Sequence, residues 1–127
     1  MKNENKKTGG FGENAAEKFL LQKNYKIIAK NYRTQIGYRR YAEIDIIAEF
    51  EGELVFVEVK TRSATAFGAA SLAVGSQKKA NIIAAAKRFL YENEGRYDSC
   101  PVAFDIIEIY PCPDKIKVNH IRNAFMT

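Results

Sequence analysis

The chain has 127 residues, of which 46% are hydrophobic and 28% are charged, and its formal net charge is +5. This length is typical of one compact domain whose core needs no disulfide or metal, and an aromatic content of 12% excludes a disordered chain. No apolar run approaches the ~18 residues of a membrane helix, and the polar N-terminus lacks the apolar stretch of a secretory signal. We therefore expect a cytoplasmic protein that does not bind membranes.

The cysteine and histidine content limits the kinds of site. Cys100 and Cys112 flank a segment that we predict to be a strand, and an extended strand of that length keeps its ends beyond disulfide reach. One histidine and two cysteines are too few for an ordinary zinc site, and His120 has no evident nucleophile beside it. We therefore expect free thiols and no catalysis that depends on a histidine–nucleophile pair.

Hydrophobic periodicity predicts one domain behind a short tail. Residues 1–9 are polar and lysine-rich, which favours a flexible basic tail before a single domain at 10–127. Apolar spacing and β-branched runs then distinguish helices from strands. The order α-β-β-β-α-β predicts an α/β fold in which helices flank one mixed sheet. The predicted helices lie at about 12–23 and 76–93. The predicted strands lie at 25–32, 42–48, 53–61 and 102–110, with a short strand near 116–119 and a terminal helical turn after it. Residues 34–40 are expected to form a connection, and residues 63–75 show no firm periodicity.

The strands at 42–48 and 53–61 form the most informative pair. With Glu51 and Gly52 as a two-residue turn, the two residue numbers of each opposed pair add up to 103. This register makes one hairpin face wholly apolar, whereas a shift by one residue would mix charged and apolar side chains on both faces. The expected apolar face carries Ile44, Ile46 and Ala48 opposite Val59, Val57 and Val55.

The other face of this hairpin brings charged side chains together. Asp45 lies opposite Glu58 and Glu43 opposite Lys60, at a cross-strand distance where like charges repel. Two such carboxylates favour a shared cation, and Mg²⁺ prefers oxygen ligands. The Lys60 ammonium could then orient or deprotonate a water molecule and stabilise charge on a phosphate. The alternative is a solvated face on which Glu and Lys alternate for solubility, and the pattern leaves both open.

Glu13 is a further acidic candidate at the start of the first predicted helix. With ~100° between successive residues, it lies at the edge of the helix face that carries Ala16 and Leu20. We expect that face to contact the sheet. The alternative role for Glu13 is a favourable charge in the first helical turn.

Basic residues are concentrated before the acidic hairpin. The segment 23–40 is rich in Lys and Arg, has no acid and is interleaved with tyrosines. Basic side chains neutralise phosphates, and aromatic rings stack on unpaired bases. At the start of the second helix, a phosphate could offset the repulsion between Lys78, Lys79 and the helix dipole. Ordinary solvated surface is the alternative in both places. The interleaved tyrosines are Tyr25, Tyr32 and Tyr38, and Tyr41 follows directly after the segment.

Six motifs together resemble the YraN-like family of uncharacterised bacterial proteins, in order from about residue 9 to residue 126. That family is similar to the restriction-endonuclease-like, or PD-(D/E)XK, superfamily, which includes Holliday-junction resolvases. The resemblance implies a restriction-endonuclease-like core. The motifs are Gly12-Glu13-Asn14-Ala15-Ala16, Asn31-Tyr32-Arg33, Glu43-Ile44-Asp45-Ile46-Ile47-Ala48, Val55-Phe56-Val57-Glu58-Val59-Lys60-Thr61-Arg62, Phe104-Asp105 and Asn123-Ala124-Phe125.

The superfamily motif, transferred residue by residue, implies a nuclease that uses Mg²⁺ or Mn²⁺. Asp45 and Glu58 would hold the metal together with the Val59 backbone carbonyl, and Lys60 would assist the water. Glu13 would match the helical acidic residue of the resolvases. We therefore expect a metal-dependent nuclease acting on DNA, more on branched, flapped or single-stranded structures than on a particular sequence.

Two other classes of function stay open. The chain could bind nucleic acid on the same fold without catalysis, or it could be a structural interaction domain. Resolvase-like activity would favour a homodimer, by analogy with those enzymes. The side chains expected to bind the phosphates of a nucleic acid are Arg33, Arg39, Arg40, Arg62, Lys78 and Lys79.

Overall fold

In the part of the chain that the structure describes, five strands form one sheet that lies between two α-helices. The computed structural model describes residues 2–69 and 74–125. The elements are α1 (Lys2–Gln22), β1 (Lys26–Gly37), β2 (Arg40–Phe50), β3 (Glu53–Thr61), a 3₁₀ turn (Ala64–Ala66), α2 (Ser76–Glu92), β4 (Val102–Pro111) and β5 (Ile116–Phe125). The strands lie in the sheet in chain order. The β3–β4 pair is parallel and the other pairs are antiparallel, so α2 is part of the crossover between β3 and β4.

The α/β class and the mixed sheet flanked by helices are therefore confirmed. The bounds of β3 match the prediction, and α2 ends one residue earlier than predicted. α1 begins at Lys2, well before the predicted start at residue 12, and the flexibility of the tail at 1–9 stays a prediction. Of the segment 63–75, residues 70–73 lie outside the described residues. None of the described helices is long and apolar enough to cross a membrane.

Two local predictions are wrong. The connection expected at 34–40 is a tight turn, because β1 and β2 stay paired until Gly37 meets Arg40. The terminal helical turn is instead part of β5, because the chain pairs with β4 as far as Phe125. Both strands are longer than their predicted apolar segments, since backbone pairing continues through polar positions, and Ile36 of β1 and Phe125 of β5 still pack beneath α2.

Helices cover both faces of the sheet, and β3 lies at its centre. Leu54 and Phe56 pack into the cluster beneath α2, whereas Val55 and Val57 pack into the cluster beneath α1. All four side chains are buried, and each contributes roughly 1.5–3 kcal/mol of hydrophobic free energy. A strand that is apolar on both faces is what a sheet covered on both sides requires.

The predicted β2–β3 register is confirmed from Ile46–Val57 to the turn, but β2 changes faces beside Asp45. Ile46 packs beneath α1, whereas Ile44 packs beneath α2. Side chains two residues apart in a regular strand share a face, so the strand is irregular between them. On the neighbouring strand, Asn31 has a positive φ of 54°. The predicted single apolar face carrying Ile44 and Ile46 is therefore wrong.

Candidate functional site

Asp45 lies where β2 and β3 separate. The ladder between these strands is regular as far as Ile46–Val57, and its continuation would pair Ile44 with Val59. Instead, the Val59 amide donates a hydrogen bond of 2.8 Å to Asp45 Oδ2. The carboxyl group therefore occupies the gap between the two strands, where it can be reached from both faces of the sheet.

Two further carboxyl groups act on Asp45 from other elements. Glu58 follows Val57 on β3, is 8% exposed, and interacts with Asp45 through both charge and hydrogen bonding. Glu13 comes from α1 and lies within hydrogen-bonding reach of Asp45 and Asn31. The structure thus brings together the acids at positions 13, 45 and 58 that the sequence predicted as neighbours.

This crowding changes the protonation of the cluster. Burial, followed by the charge of Glu58, raises the pKa of Asp45 to about 8, against the opposing effect of the Val59 amide. Burial also raises the pKa of Glu13, and the charge of Glu43 adds to that effect. Asp45 therefore holds a proton at neutral pH unless a cation takes its place. Displaced pKa values of this kind cluster at functional sites.

Replacing Asp45 by Asn should remove the pH dependence of stability that this position contributes. Asp45 ionises near pH 3.8 when unfolded and near pH 8 when folded, so the folded state binds more protons between these values and stability falls as pH rises. The Asn side chain cannot ionise and can still accept the Val59 hydrogen bond. In EDTA at pH 8, urea unfolding should show Asp45→Asn to be more stable than wild type by roughly 2 kcal/mol.

At pH 5 that advantage should largely disappear, because Asp45 of the folded wild-type protein is then protonated. Glu51→Gln, in the exposed β2–β3 turn, is the control for loss of one negative charge. Parallel stability–pH curves for wild type and Asp45→Asn would contradict the assigned protonation.

α2 contributes a cation to the same place. Lys78 Nζ lies 3.1 Å from Glu58 Oε2, and Asn81 Oδ1 accepts a hydrogen bond from Arg40 Nη2 at 3.2 Å. Lys78 was predicted to bind phosphate at the helix start, and it instead pairs with an acid of the cluster. A cavity of about 190 Å³ opens here. Its wall includes Tyr41, Glu43, Asp45, Glu58, Lys78 and Asn81.

Lys60 continues the row of Glu58 along β3. Side chains two residues apart in a strand lie on one side, and Lys60 is half-buried opposite Glu108 of β4. Lys60 is not among the described residues that line the cavity. Strand alternation therefore places it on the side of β3 from which Glu58 projects.

The donor set fits a hard divalent cation only in part. Among residues 2–69 and 74–125, no group of three acidic, histidine or cysteine side chains is arranged to hold a metal ion. Mg²⁺, however, keeps several waters and is usually held by one or two carboxylates. Asp45 and Glu58 supply such a pair in a buried position where they repel each other. Asp45 and Glu58, with the Val59 carbonyl, thus stay the predicted ligands, and joint ligation by Glu13 has no support in this arrangement.

The other predicted phosphate-binding residues lie in three places. Arg33 covers the ring of Tyr41 at 4.3 Å, and Arg39 lies 5.3 Å from the ring of Tyr38. Together with Arg40, they form a basic margin on the β1–β2 hairpin beside the cavity. Lys79 lies at 5.9 Å from the ring centroid of Phe125, and Arg62 is engaged inside the fold.

Arg62 and a buried acid were not predicted as partners. Arg62 Nη1 lies 3.3 Å from Glu108 Oε2 and 3.1 Å from the Tyr110 hydroxyl. Glu108 is 0% exposed and also accepts a hydrogen bond from Asn119 Nδ2 at 2.9 Å. The sequence signal for this buried contact was the presence of Glu108 in a largely apolar strand at 102–110. These contacts favour a structural role for Arg62 over the predicted phosphate contact.

A second buried acid of β4 was also missed. Asp105 Oδ2 and His120 Nε2 are 2.8 Å apart, and Asp105 Oδ1 accepts a hydrogen bond from the backbone amide of Asn123 at 3.0 Å. The register between β4 and β5 shifts at this point. Asp105 therefore satisfies backbone and side-chain groups of an irregular strand pair, and its signal was again an acid in an apolar strand.

Comparison with known proteins places the chain among bacterial relatives of similar length. A family model described as "Uncharacterised protein family UPF0102" matches residues 12–109. A UPF0102 protein of Clostridioides difficile (strain 630) is 45% identical over 121 residues, which cover 95% of this chain and 98% of the relative. A UPF0102 protein of Caldanaerobacter subterraneus subsp. tengcongensis is 44% identical over 129 residues, covering 98% of this chain and 100% of the relative. The matched stretch contains the acidic cluster and Lys60.

Proposed function

Since the chain belongs to the uncharacterised protein family UPF0102, we propose its function from the site itself: metal-dependent hydrolysis of phosphodiester bonds in DNA. The observation that carries this proposal is the carboxyl group of Asp45, held by the Val59 amide in the sheet opening beside Glu58. A buried pair of acids with a displaced pKa needs a proton or a cation. Lys78 pairs with Glu58, and Arg40 bonds to Asn81 in the wall of the same cavity, which suits an anionic substrate.

The residues around the opening have distinct roles in this mechanism. Asp45 and Glu58, with the Val59 carbonyl, would hold Mg²⁺ or Mn²⁺ after losing the proton of the cluster. A bound divalent cation polarises phosphate oxygens and lowers the pKa of water. The Lys60 ammonium, on the same side of β3 as Glu58, would orient the attacking water and stabilise charge on the phosphate. Lys78 would exchange its ion pair with Glu58 for a phosphate oxygen.

The decisive experiment is a cleavage assay on a panel of nucleic acids. Labelled single strands, duplexes, flaps, four-way junctions and matching RNAs are incubated with the pure protein in Mn²⁺ or in EDTA, and products are separated on denaturing gels. We expect cleavage of at least one DNA in Mn²⁺ and none in EDTA. A protein that cleaves nothing and shows no metal-induced shift in melting temperature would contradict the proposal.

The basic margin on the β1–β2 hairpin should dominate the salt dependence of binding. Each neutralised duplex phosphate contributes a log–log slope of about −0.9 between affinity and salt. Arg39→Ala combined with Arg40→Ala should therefore flatten the slope by roughly two units, measured by anisotropy in EDTA. Lys115→Ala with Lys117→Ala removes the same charge at the start of β5, at the other edge of the sheet. An unchanged slope in the arginine variant would place the DNA elsewhere.

A DNA-binding protein without catalysis is the second candidate. The Lys78–Glu58 ion pair favours it, because a lysine already neutralises one of the two acids. On this view, Asp45 keeps its proton permanently and no cation enters. DNA binding that survives while both cleavage and the metal-induced thermal shift are absent would establish this candidate in place of the first.

A further inference from the structure

Tyr41 joins the acidic cluster to the basic margin. It lies at the start of β2, is 51% exposed, and forms part of the wall of the cavity that contains Asp45 and Glu58. The guanidinium group of Arg33 covers its ring at 4.3 Å from the centroid. Such a cation–π contact restricts the ring without burying it. Tyr41 is therefore an oriented, accessible aromatic surface at the edge of the candidate active site.

The other tyrosines of this basic region differ in their surroundings. Tyr25 is buried and stacks on Phe50 at 4.1 Å, and the Tyr32 hydroxyl donates a hydrogen bond of 2.7 Å to Glu92. These two rings belong to the fold, so the predicted base-stacking role is wrong for Tyr25 and is not supported for Tyr32. Tyr38, in the β1–β2 turn, is 82% exposed and lies beside Arg39, which extends the aromatic and basic surface beyond Tyr41.

The size of the cavity restricts what can enter it. A volume of about 190 Å³ corresponds to roughly six water molecules at their share of liquid volume. A backbone phosphate group fits such a space, so the base attached to it must lie outside the cavity, and bases within a stacked duplex cannot turn toward a side chain without leaving the helix. Unpaired bases already expose their faces and stack readily on aromatic rings, while cations neutralise their backbone.

We propose that Tyr41, held by Arg33, stacks on an unpaired base of the strand whose phosphate enters the cavity, so that the ligand is single-stranded nucleic acid or an unpaired segment of a larger structure. This assignment of substrate class rests on the proposed function for cleavage, and the binding step is separable from it. Tyr41 then selects strands by their freedom to present a base, and neighbouring Tyr38 provides a surface for an adjacent one.

The sequence contains no tryptophan, so fluorescence of one introduced tryptophan gives a direct test. Tyr41→Trp introduces a single tryptophan, whose emission should be quenched when oligothymidylate is titrated in EDTA. The control is Tyr91→Trp, because Tyr91 is 67% exposed and also has an arginine, Arg88, at 5.5 Å from its ring. Position 91 lies thirteen residues along α2 from Lys78, or about 20 Å at 1.5 Å per residue.

We expect strong quenching at position 41 and little at position 91. Duplex DNA of the same length should quench Tyr41→Trp weakly. Equal quenching at both positions, or equal quenching by the duplex, would overturn the stacking proposal.

Affinities of the variants provide the second test. Tyr41→Ala should weaken binding of the single strand by about five- to a hundredfold, the range found when an aromatic ring that stacks on a base is removed, and should change duplex binding little. Tyr41→Phe should keep single-strand affinity, and Tyr91→Ala should leave it near wild type. A Tyr41→Ala variant that binds single strands like Tyr91→Ala would refute the role.

These measurements separate the two proposals. The binding assays contain EDTA, so they do not depend on catalysis. Cleavage by wild type without a Tyr41 effect would remove the stacking role and keep the phosphodiesterase. A clear Tyr41 effect without any metal-dependent cleavage would support single-strand binding and reject the phosphodiesterase.

Discussion

Lys60→Ala should lower the rate of metal-dependent cleavage by about 10²- to 10⁴-fold, the range found for a positioned proton-transfer group. Its affinity for DNA should stay within about twofold of wild type. The substitution removes the ammonium that lies on the same side of β3 as Glu58, and it leaves both carboxyl groups and the β1–β2 hairpin intact. One lysine among several contributes little to the total phosphate contact. Single-turnover rates in Mn²⁺ and anisotropy in EDTA measure the two quantities separately.

Asp45→Ala distinguishes loss of the metal from loss of the lysine. It should also stop cleavage, but it should in addition reduce the rise in melting temperature caused by Mn²⁺, because an oxygen ligand is gone. Lys60→Ala should keep that rise. Lys117→Ala, a half-buried lysine on β5, is the control for removal of a strand lysine. A Lys60→Ala enzyme with wild-type turnover would exclude the role given to Lys60.

Arg62→Ala should destabilise the protein by about 3–5 kcal/mol, as expected when one partner of a buried ion pair is removed. Glu108 has no exposed surface, so the substitution removes the guanidinium 3.3 Å from a buried acid that also contacts the Tyr110 hydroxyl at 2.7 Å and the Asn119 side-chain amide at 2.9 Å. Arg88→Ala is the matched control, because Arg88 pairs with Glu92 on the exposed side of α2 at 3.2 Å. Such a surface pair contributes less than about 1 kcal/mol.

Adding Glu108→Gln to Arg62→Ala tests the electrostatic origin of the loss. The amide removes the buried charge and keeps hydrogen-bonding atoms, so the double variant should be more stable than Arg62→Ala alone in urea unfolding. If Arg62→Ala costs no more than Arg88→Ala, Arg62 is not needed by the fold. It then returns to the set of phosphate-binding residues that the sequence predicted.

The parts of the fold that the sequence predicts are those governed by short-range rules. A two-residue turn and strict alternation determine the β2–β3 register, and helical periodicity places Glu13 toward the sheet. The change of face at Ile44 could not be found this way, because it coincides with the positive φ of Asn31 on another strand. A hairpin considered alone contains no information about its neighbour.

The site residues follow the same division. Asp45 and Glu58 are brought together by one hairpin, so their proximity can be inferred from spacing. The partner of Lys78 depends on where α2 crosses the sheet, and the partner of Arg62 depends on the parallel β3–β4 register. Both are set by packing between elements far apart in sequence. Polar residues in apolar strands, such as Glu108, indicate that a partner exists without identifying it.

The parallel pairing of β3 with β4 has a consequence for synthesis of the chain. β3 leaves the ribosome well before its partner at 102–109, so one edge of this apolar strand waits without hydrogen bonds. An apolar strand edge of this kind invites pairing with other nascent chains. Charged residues at the end of such a segment oppose that association. Glu58 and Lys60 end the apolar run of Leu54–Val57, so the groups proposed for catalysis stand where charge opposes such pairing.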